Sequence, residues 1–139
     1  MKLLLDTDVV VAGVRSPSGA SAEILRLARH GHIGLAVSVP LVLEYEAVVT
    51  RPEHLAASGL ILKDALAAID VLVSVAEWVR IDYRWRPQTR DPADEMVLEA
   101  AINAKADAIV TFNRRDFGKA PDKFGIGCWL PGETLEKLK

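Results

Sequence analysis

The sequence predicts an α/β fold, a single domain over residues 1–139 whose central parallel sheet of four to five strands carries helices on both faces. Three observations support this. Short apolar runs alternate with longer segments of helical periodicity. Turn and cap residues separate them at the expected points. No repeat, low-complexity tract or linker-like stretch divides the chain. Strands joined through helices require right-handed crossovers, which make the sheet parallel.

The elements follow in order. Lys2 to Leu5 reads as a buried strand halted by Asp6. A polar turn from Arg15 to Gly19 leads to a helix over about Ser21 to His30, with Gly31 as its C-terminal stop. Ile33 to Val37 forms the second strand. Ser38 caps a helix that carries Pro40 in its first turn and runs to about Thr50, where Arg51-Pro52 breaks it. A further helix spans about Lys63 to Ala76, with an apolar face of Leu66, Ile69 and Val73 edged by Leu62 and Leu72. Trp78 to Ile81 reads as a third strand, and Asp82 to Arg90, with Pro87 and three arginines, as an exposed loop. Asp91-Pro92 opens a helix reaching about Ala104. Ala108 to Thr111 is the fourth strand, Gly127 to Leu130 the fifth, and a short helix starts near Pro131.

Composition limits the function classes. Half the residues are hydrophobic and 26% are charged, an ordinary globular balance that 139 residues can fold around one core. Cys128 is the only cysteine and has no companion at metal spacing, so it reads as a core residue in a reducing, cytoplasmic setting. The run Leu3-Leu4-Leu5 is too short for a signal peptide, and no stretch suits a bilayer span. A net charge of −2 gives no global attraction for a polyanion, so nucleic-acid affinity would depend on bound cations and a local basic rim.

The acidic residues carry the chemistry. Ligands of open parallel sheets bind outside the carboxyl ends of the strands. Asp6 closes the first strand and Asp116 follows the fourth, while Asp94 sits in the first turn of the helix after the Asp82–Arg90 loop. Carboxylates gathered there without bases repel one another, and a hard divalent cation is the usual remedy. Each has a structural alternative. Asp6 could be a turn residue, Asp94 half of a capping box with Asp91, and Asp116 a helix cap or ion-pair partner. Glu44 and Glu46 flank the apolar face Leu41, Val42, Tyr45, Val48 and Val49 on opposite sides, so periodicity does not choose between them.

Taken together, the segments resemble the PIN domain family, and within it the toxins related to VapC. The resemblance runs nearly end to end. It rests on Leu4-Leu5-Asp6-Thr7, Ser38 through Leu43-Glu44-Tyr45 to Val49-x-Arg51-Pro52, Arg90-Asp91-Pro92-Ala93-Asp94-Glu95, and Ala106-Asp107-Ala108-Ile109-Val110-Thr111 with Asn113 and Asp116-Phe117. It implies a three-layer fold and an acidic quartet of Asp6, Glu44, Asp94 and Asp116 holding Mg²⁺ or Mn²⁺, which favours Glu44 over Glu46. It further implies supporting polar roles for Thr7, Thr111 and Asn113, and endonucleolytic hydrolysis of RNA leaving a 5′-phosphate and a 3′-hydroxyl. A cognate antitoxin and a homodimer, with apolar surface from Leu60 to Val75 as its interface, complete the implied picture. Two positions depart from the family pattern: Asp8 stands where Asn is common, and Asn113 where Asp is frequent. Asp8, Glu95 and Asn113 therefore rank below the quartet.

Arg15, Arg114, Arg115 and Lys119, in loops after strand ends, are candidates for phosphate contacts, weighed equally against solvated surface charge. Tyr83 and Trp85, between Arg84 and Arg86, could stack on bases, though packing is the more economical reading. Two rival functions stand. One is a non-catalytic PIN-like module that binds RNA or protein. The other is a phosphatase resembling the HAD type, with Asp6 as nucleophile and Asp8 as general acid. The second needs a downstream lysine and a paired-acid motif; Lys105 sits late in a helix and no Asp-Asp pair exists.

Overall fold

The computed structural model describes residues 1–81 and 91–139. The expected loop from Asp82 to Arg90, with Tyr83, Arg84, Trp85 and Arg86, lies outside the described residues. Five parallel strands, β1 (Lys2–Leu5), β2 (Gly34–Val37), β3 (Glu77–Trp78), β4 (Ala108–Val110) and β5 (Gly127–Trp129), form one sheet in the order β3-β2-β1-β4-β5. The register sets Leu3 beside Ala108, Leu4 beside Ile109 and Leu5 beside Val110. On the other side of β1, Leu3 pairs with Leu35. Strand β1 is thus paired on both edges, and both of its faces are covered, so Leu3, Leu4 and Leu5 form a continuous buried run without alternation.

The helices are α1 (Thr7–Arg15), α2 (Ala20–Arg29), α3 (Val39–Val49), α4 (Pro52–Ser58), α5 (Leu62–Ser74), α6 (Pro92–Ala104), α7 (Arg114–Phe117), α8 (Ala120–Lys123) and α9 (Pro131–Lys137). The chain leaves β1 through α1 and α2 to reach β2, then through α3, α4 and α5 to reach β3. It returns through α6 to β4 on the opposite side of β1, and through α7 and α8 to β5. Right-handed crossovers in opposite directions put the two helix groups on opposite faces. Accordingly, α1 packs with α2 and α3, and α3 with α5, whereas α6 packs on β1, β2 and β4. The direction of winding reverses between β1 and β4, the point at which such sheets open a crevice for a ligand.

Several expectations change. Helix α1 occupies Thr7–Arg15, where the sequence reading placed no element. Its Val9-Val10-Val11 run has strand-like propensity, but all three valines are buried and packing overrides the preference. Helix α1 approaches α2 closely, because a Cβ on Gly13 would lie 2.5 Å from Leu25 Cδ1. Strand β3 is shorter than expected and begins one residue earlier. On α5 the buried residues are Ala65, Ile69 and Leu72, with Leu66 and Val73 half-buried and Leu62 exposed, so the inward face is rotated from the predicted one. Helices α4, α7 and α8 were not foreseen. Among the described residues, no helix is long and apolar enough to cross a membrane.

One polar contact deep in the core ties α3 to the end of β1. Tyr45 is buried and its hydroxyl donates to the Leu5 carbonyl. Desolvation, then the nearby Asp6 charge, raises the phenol's pKa well above its usual value, so the hydroxyl keeps its proton and remains a donor. Tyr45→Phe should therefore cost about 1–3 kcal/mol, the penalty for stranding a buried acceptor. Urea unfolding would show it as a lower midpoint at constant slope; an unchanged midpoint would mean the Leu5 carbonyl finds another donor.

Candidate functional site

The site is built where β1 and β4 end. Asp6 is the N-cap of α1, and its Oδ1 accepts the Thr7 backbone N–H at 2.8 Å. Its other oxygen, Oδ2, accepts the Thr111 hydroxyl at 2.7 Å. The backbone repeats this pairing, since Asp6 N–H donates to the Val110 carbonyl at 2.9 Å. Thr111 is fully buried and its own N–H is tied to the Trp129 carbonyl. Asp6 is thus held from β1, α1 and β4 together.

Asp8 is drawn into the same place by the start of α1. Its Oδ2 accepts from Asn113 Nδ2 at 3.0 Å, from the Phe112 backbone N–H at 3.1 Å and, more weakly, from the Thr111 hydroxyl at 3.4 Å. Its Oδ1 is shielded from solvent and has no hydrogen-bond partner. The two departures from the family pattern, Asp8 and Asn113, are therefore partners of each other. Asn113 also donates its backbone N–H to the Thr111 hydroxyl oxygen at 3.0 Å. The sequence reading placed no helix over residues 7–14 and so gave no reason for that side chain to turn toward β4.

Asp94 and Asp116 join through space. Asp91 caps α6 by accepting the Ala93 N–H at 2.9 Å. Asp94 follows in the first turn, half-buried. Asn113, not Asp116, is the N-cap of α7. Burial and then the charges of Asp6, Asp116, Asp91 and Asp8 push the Asp94 carboxyl up to about 6. Asp8 is likewise pushed up to about 6, by burial and then by Asp6. Asp6 is raised by burial, opposed by its bonds to Thr111 and Thr7, with Asp116 and Asp91 adding repulsion. Among the described residues, no basic side chain forms an ion pair with Asp6, Asp8, Asp94 or Asp116.

Glu44 is half-buried on α3 and lines two clefts. One is shared with Thr7, Asp8 and Phe112; the other with Pro92, Ala93 and Glu99 at the start of α6. It thereby faces the space between α1 and α6, which Glu46 does not border. Glu95 and Glu99 are buried on α6. The basic candidates separate. Arg15 lines the first cleft, whereas Arg114 reaches Glu133 at 3.7 Å, and Arg115 and Lys119 are exposed. Cys128 is half-buried, and burial pushes its thiol up to about 11, so it is no ready nucleophile.

The donors are oxygens only, carried by carboxylates that repel one another, and Asp8 Oδ1 has an unmet bonding capacity. This is the chemistry a hard divalent cation satisfies. Among the described residues, no three acidic, histidine or cysteine side chains already stand in ligating geometry.

Residues 2–115 match the model of the PIN domain family, so the chain belongs to that family. No match was found among curated proteins. Among solved structures, the fold is similar to a chain in the crystal structure of VapBC2 from Rickettsia felis bound to a DNA fragment from their promoter. That match has 15% sequence identity and a TM-score of 0.64, and covers 94% of this chain and 98% of the other.

The carboxylates give the metal-free protein a distinctive pH response. Between about pH 4 and about pH 6 the folded state keeps protons on Asp8 and Asp94 that the unfolded chain has released. Stability contributed by these groups is thus complete below the unfolded pKa and is lost as pH rises through the folded pKa. In the presence of chelator, the thermal midpoint should fall across this window, and fall less in Asp94→Asn. Identical pH profiles for the two proteins would show that Asp94 is not in the repelling cluster.

Proposed function

We propose that this chain is a metal-dependent endoribonuclease and the toxin of a toxin–antitoxin pair. The observation that carries the reading is the gathering of Asp6, Asp94 and Asp116 at the reversal between β1 and β4, with no ion-paired base among the described residues. Family membership supports the nuclease class, and the likeness in fold to a VapBC2 chain supports the toxin assignment.

Asp6, Glu44, Asp94 and Asp116 would hold Mg²⁺ or Mn²⁺, with Asp8 contributing its unpartnered Oδ1. When bound, such a cation supplies a Lewis acid that lowers the pKa of water and offsets charge building on the phosphodiester. The protein's own groups do the rest. Thr111 and the Thr7 N–H fix both oxygens of Asp6, so its orientation costs nothing at the moment of reaction. Asn113 and the Phe112 N–H fix Asp8 in the same way. Asp94, whose carboxyl is raised by burial and by the neighbouring carboxylates in the metal-free protein, would be held ionised once a cation neutralises that charge. The PIN-like binding module without catalysis is the second reading. It offers no role for carboxylates kept together against their mutual repulsion.

A panel of single-stranded and structured RNAs tests the proposal directly. Wild type should cleave at least one in Mg²⁺ or Mn²⁺ and none in chelator. Asp94→Asn should reduce the rate about a hundredfold or more, since even outer partners of a metal site cost up to about that much. Equal cleavage by both proteins, or cleavage that survives chelation, would end the metal-nuclease reading. RNA binding without cleavage under every condition would favour the binding module.

We also propose a homodimer through the apolar surface of α5 and its approach, where Ile61, Leu62, Val71 and Val75 are exposed. Ile61 is the N-cap of α5 and 64% exposed, and Asp is a favourable residue at such a position. Ile61→Asp should leave the thermal midpoint intact while shifting sedimentation from dimer toward monomer. A dimer unaffected by the charge would place the interface elsewhere.

A further inference from the structure

One cleft combines both signs of charge in a regular pattern. It encloses about 430 Å³ and is bordered by α1, α3, α4 and the loop after β4. Its α1 wall reads Asp8, Val11, Ala12, Arg15, and the facing wall takes Glu44 and Val48 from α3 and Arg51 from the N-cap of α4. On both walls an acid at position i is followed by apolar residues and then by an arginine at i+7. On α1, seven residues of helix carry Arg15 two turns, roughly 10 Å, along the axis from Asp8, whereas Arg51 follows the end of α3 in extended backbone as the N-cap of α4. Helix α1 starts at the carboxyl end of β1, so Asp8 lies near the sheet and Arg15 away from it.

The basic end is available for a ligand. Among the described residues, neither Arg15 nor Arg51 has an ion-pair partner, and both are exposed. His54 stands one turn beyond Arg51 with its Nδ1 shielded from solvent and unpartnered. Phe112, next to Thr111, is 48% exposed and offers a bare ring on the same cleft.

We propose that this cleft seats the RNA strand next to the cleaved bond. Arg15 and Arg51 each take one flanking phosphate, and Phe112 stacks on the intervening base. The assignment rests on the nuclease reading, because the acidic end is then where the reacting phosphate sits. The two-turn separation from Asp8 to Arg15 lies within reach of the next phosphates of an extended strand. An acidic protein segment would also satisfy the arginines, but it would make no use of an exposed ring beside the carboxylates. A single strand uses both, since its bases carry stacking faces between its phosphates.

Anisotropy of a short fluorescent single-stranded RNA, titrated in Ca²⁺ over a range of salt concentrations, tests this separately from cleavage. Arg15→Ala and Arg51→Ala should each weaken binding several-fold. Each should also lessen the slope of log affinity against log salt by about 0.7, the contribution of one phosphate contact on a single strand. Phe112→Ala should weaken binding about tenfold and leave the slope unchanged. Arg29→Ala, an exposed arginine on α2 outside the cleft, should change neither. If wild type binds and cleaves RNA while the three cleft variants match it in binding, the seat is wrong and the nuclease reading stands. If wild type neither binds nor cleaves any RNA, both fail. Polyglutamate bound as tightly as RNA, with the same losses in the arginine variants, would assign the cleft to an acidic protein and overturn the proposal.

Discussion

The hydrogen bond from the Thr111 hydroxyl to Asp6 joins the ends of the two central strands, and the site is organised around it. It works because Thr111 is buried and anchored on both sides, by its own N–H to β5 and by its oxygen to the Asn113 N–H. A hydroxyl fixed in this way has one direction left in which to donate. Asp6 accepts that bond with one oxygen and caps α1 with the other, so a single carboxylate sets the junction of sheet and helix. The repulsion among the neighbouring acids is tolerated because their positions are set by the backbone of β1, α1, α6 and α7. Sites that store unfavourable electrostatics are commonly held by surroundings that over-determine them.

The topology explains why the acids meet although they are far apart in sequence. Asp6 and Thr111 are more than a hundred positions apart, yet they are neighbours because β4 enters beside β1 only after the chain has wound outward to β3 and returned through α6. The same return brings the first turn of α6, with Asp94, to the carboxyl end of the sheet. Tyr45 adds a second brace from α3, holding the last carbonyl of β1 and keeping the helix that bears Glu44 against the strand that bears Asp6.

Much of this was legible in the residues. The apolar runs at Leu3–Leu5, Leu35–Val37 and Ala108–Val110 identified central strands, because a strand buried on both faces leaves no other pattern. Ser38 and Asp91 marked the starts of α3 and α6, and both side chains do accept the backbone bonds expected of caps. Helix α1 was not legible. Three successive valines have no helical periodicity when the helix is buried on most sides, and their propensity points to a strand. Helices α7 and α8 are four residues each, too short for a period to show. The face of α5 was misjudged because Ala65 contributes little hydrophobic signal yet sits at the centre of the packing. For the site, the choice of Glu44 over Glu46 came from resemblance and not from the helix pattern; Glu44 lines two clefts. The weight of Asp8 depended on a helix that the sequence did not reveal.

Asp8 and Asn113, read one position at a time, count as two deviations: a charge where an amide is usual, and an amide where a charge is usual. In space they are one pair, joined by a 3.0 Å bond from amide to carboxylate. Set against the pattern the resemblance implies, the pair still carries one negative charge, here on the first turn of α1 with the amide in the loop after β4. Inventories of such sites made column by column would record a lost acid here and an unexplained gain. Counting by neighbouring pairs would record an exchange, and sequences dismissed as inactive for want of one aspartate merit a look at the residue across the hydrogen bond.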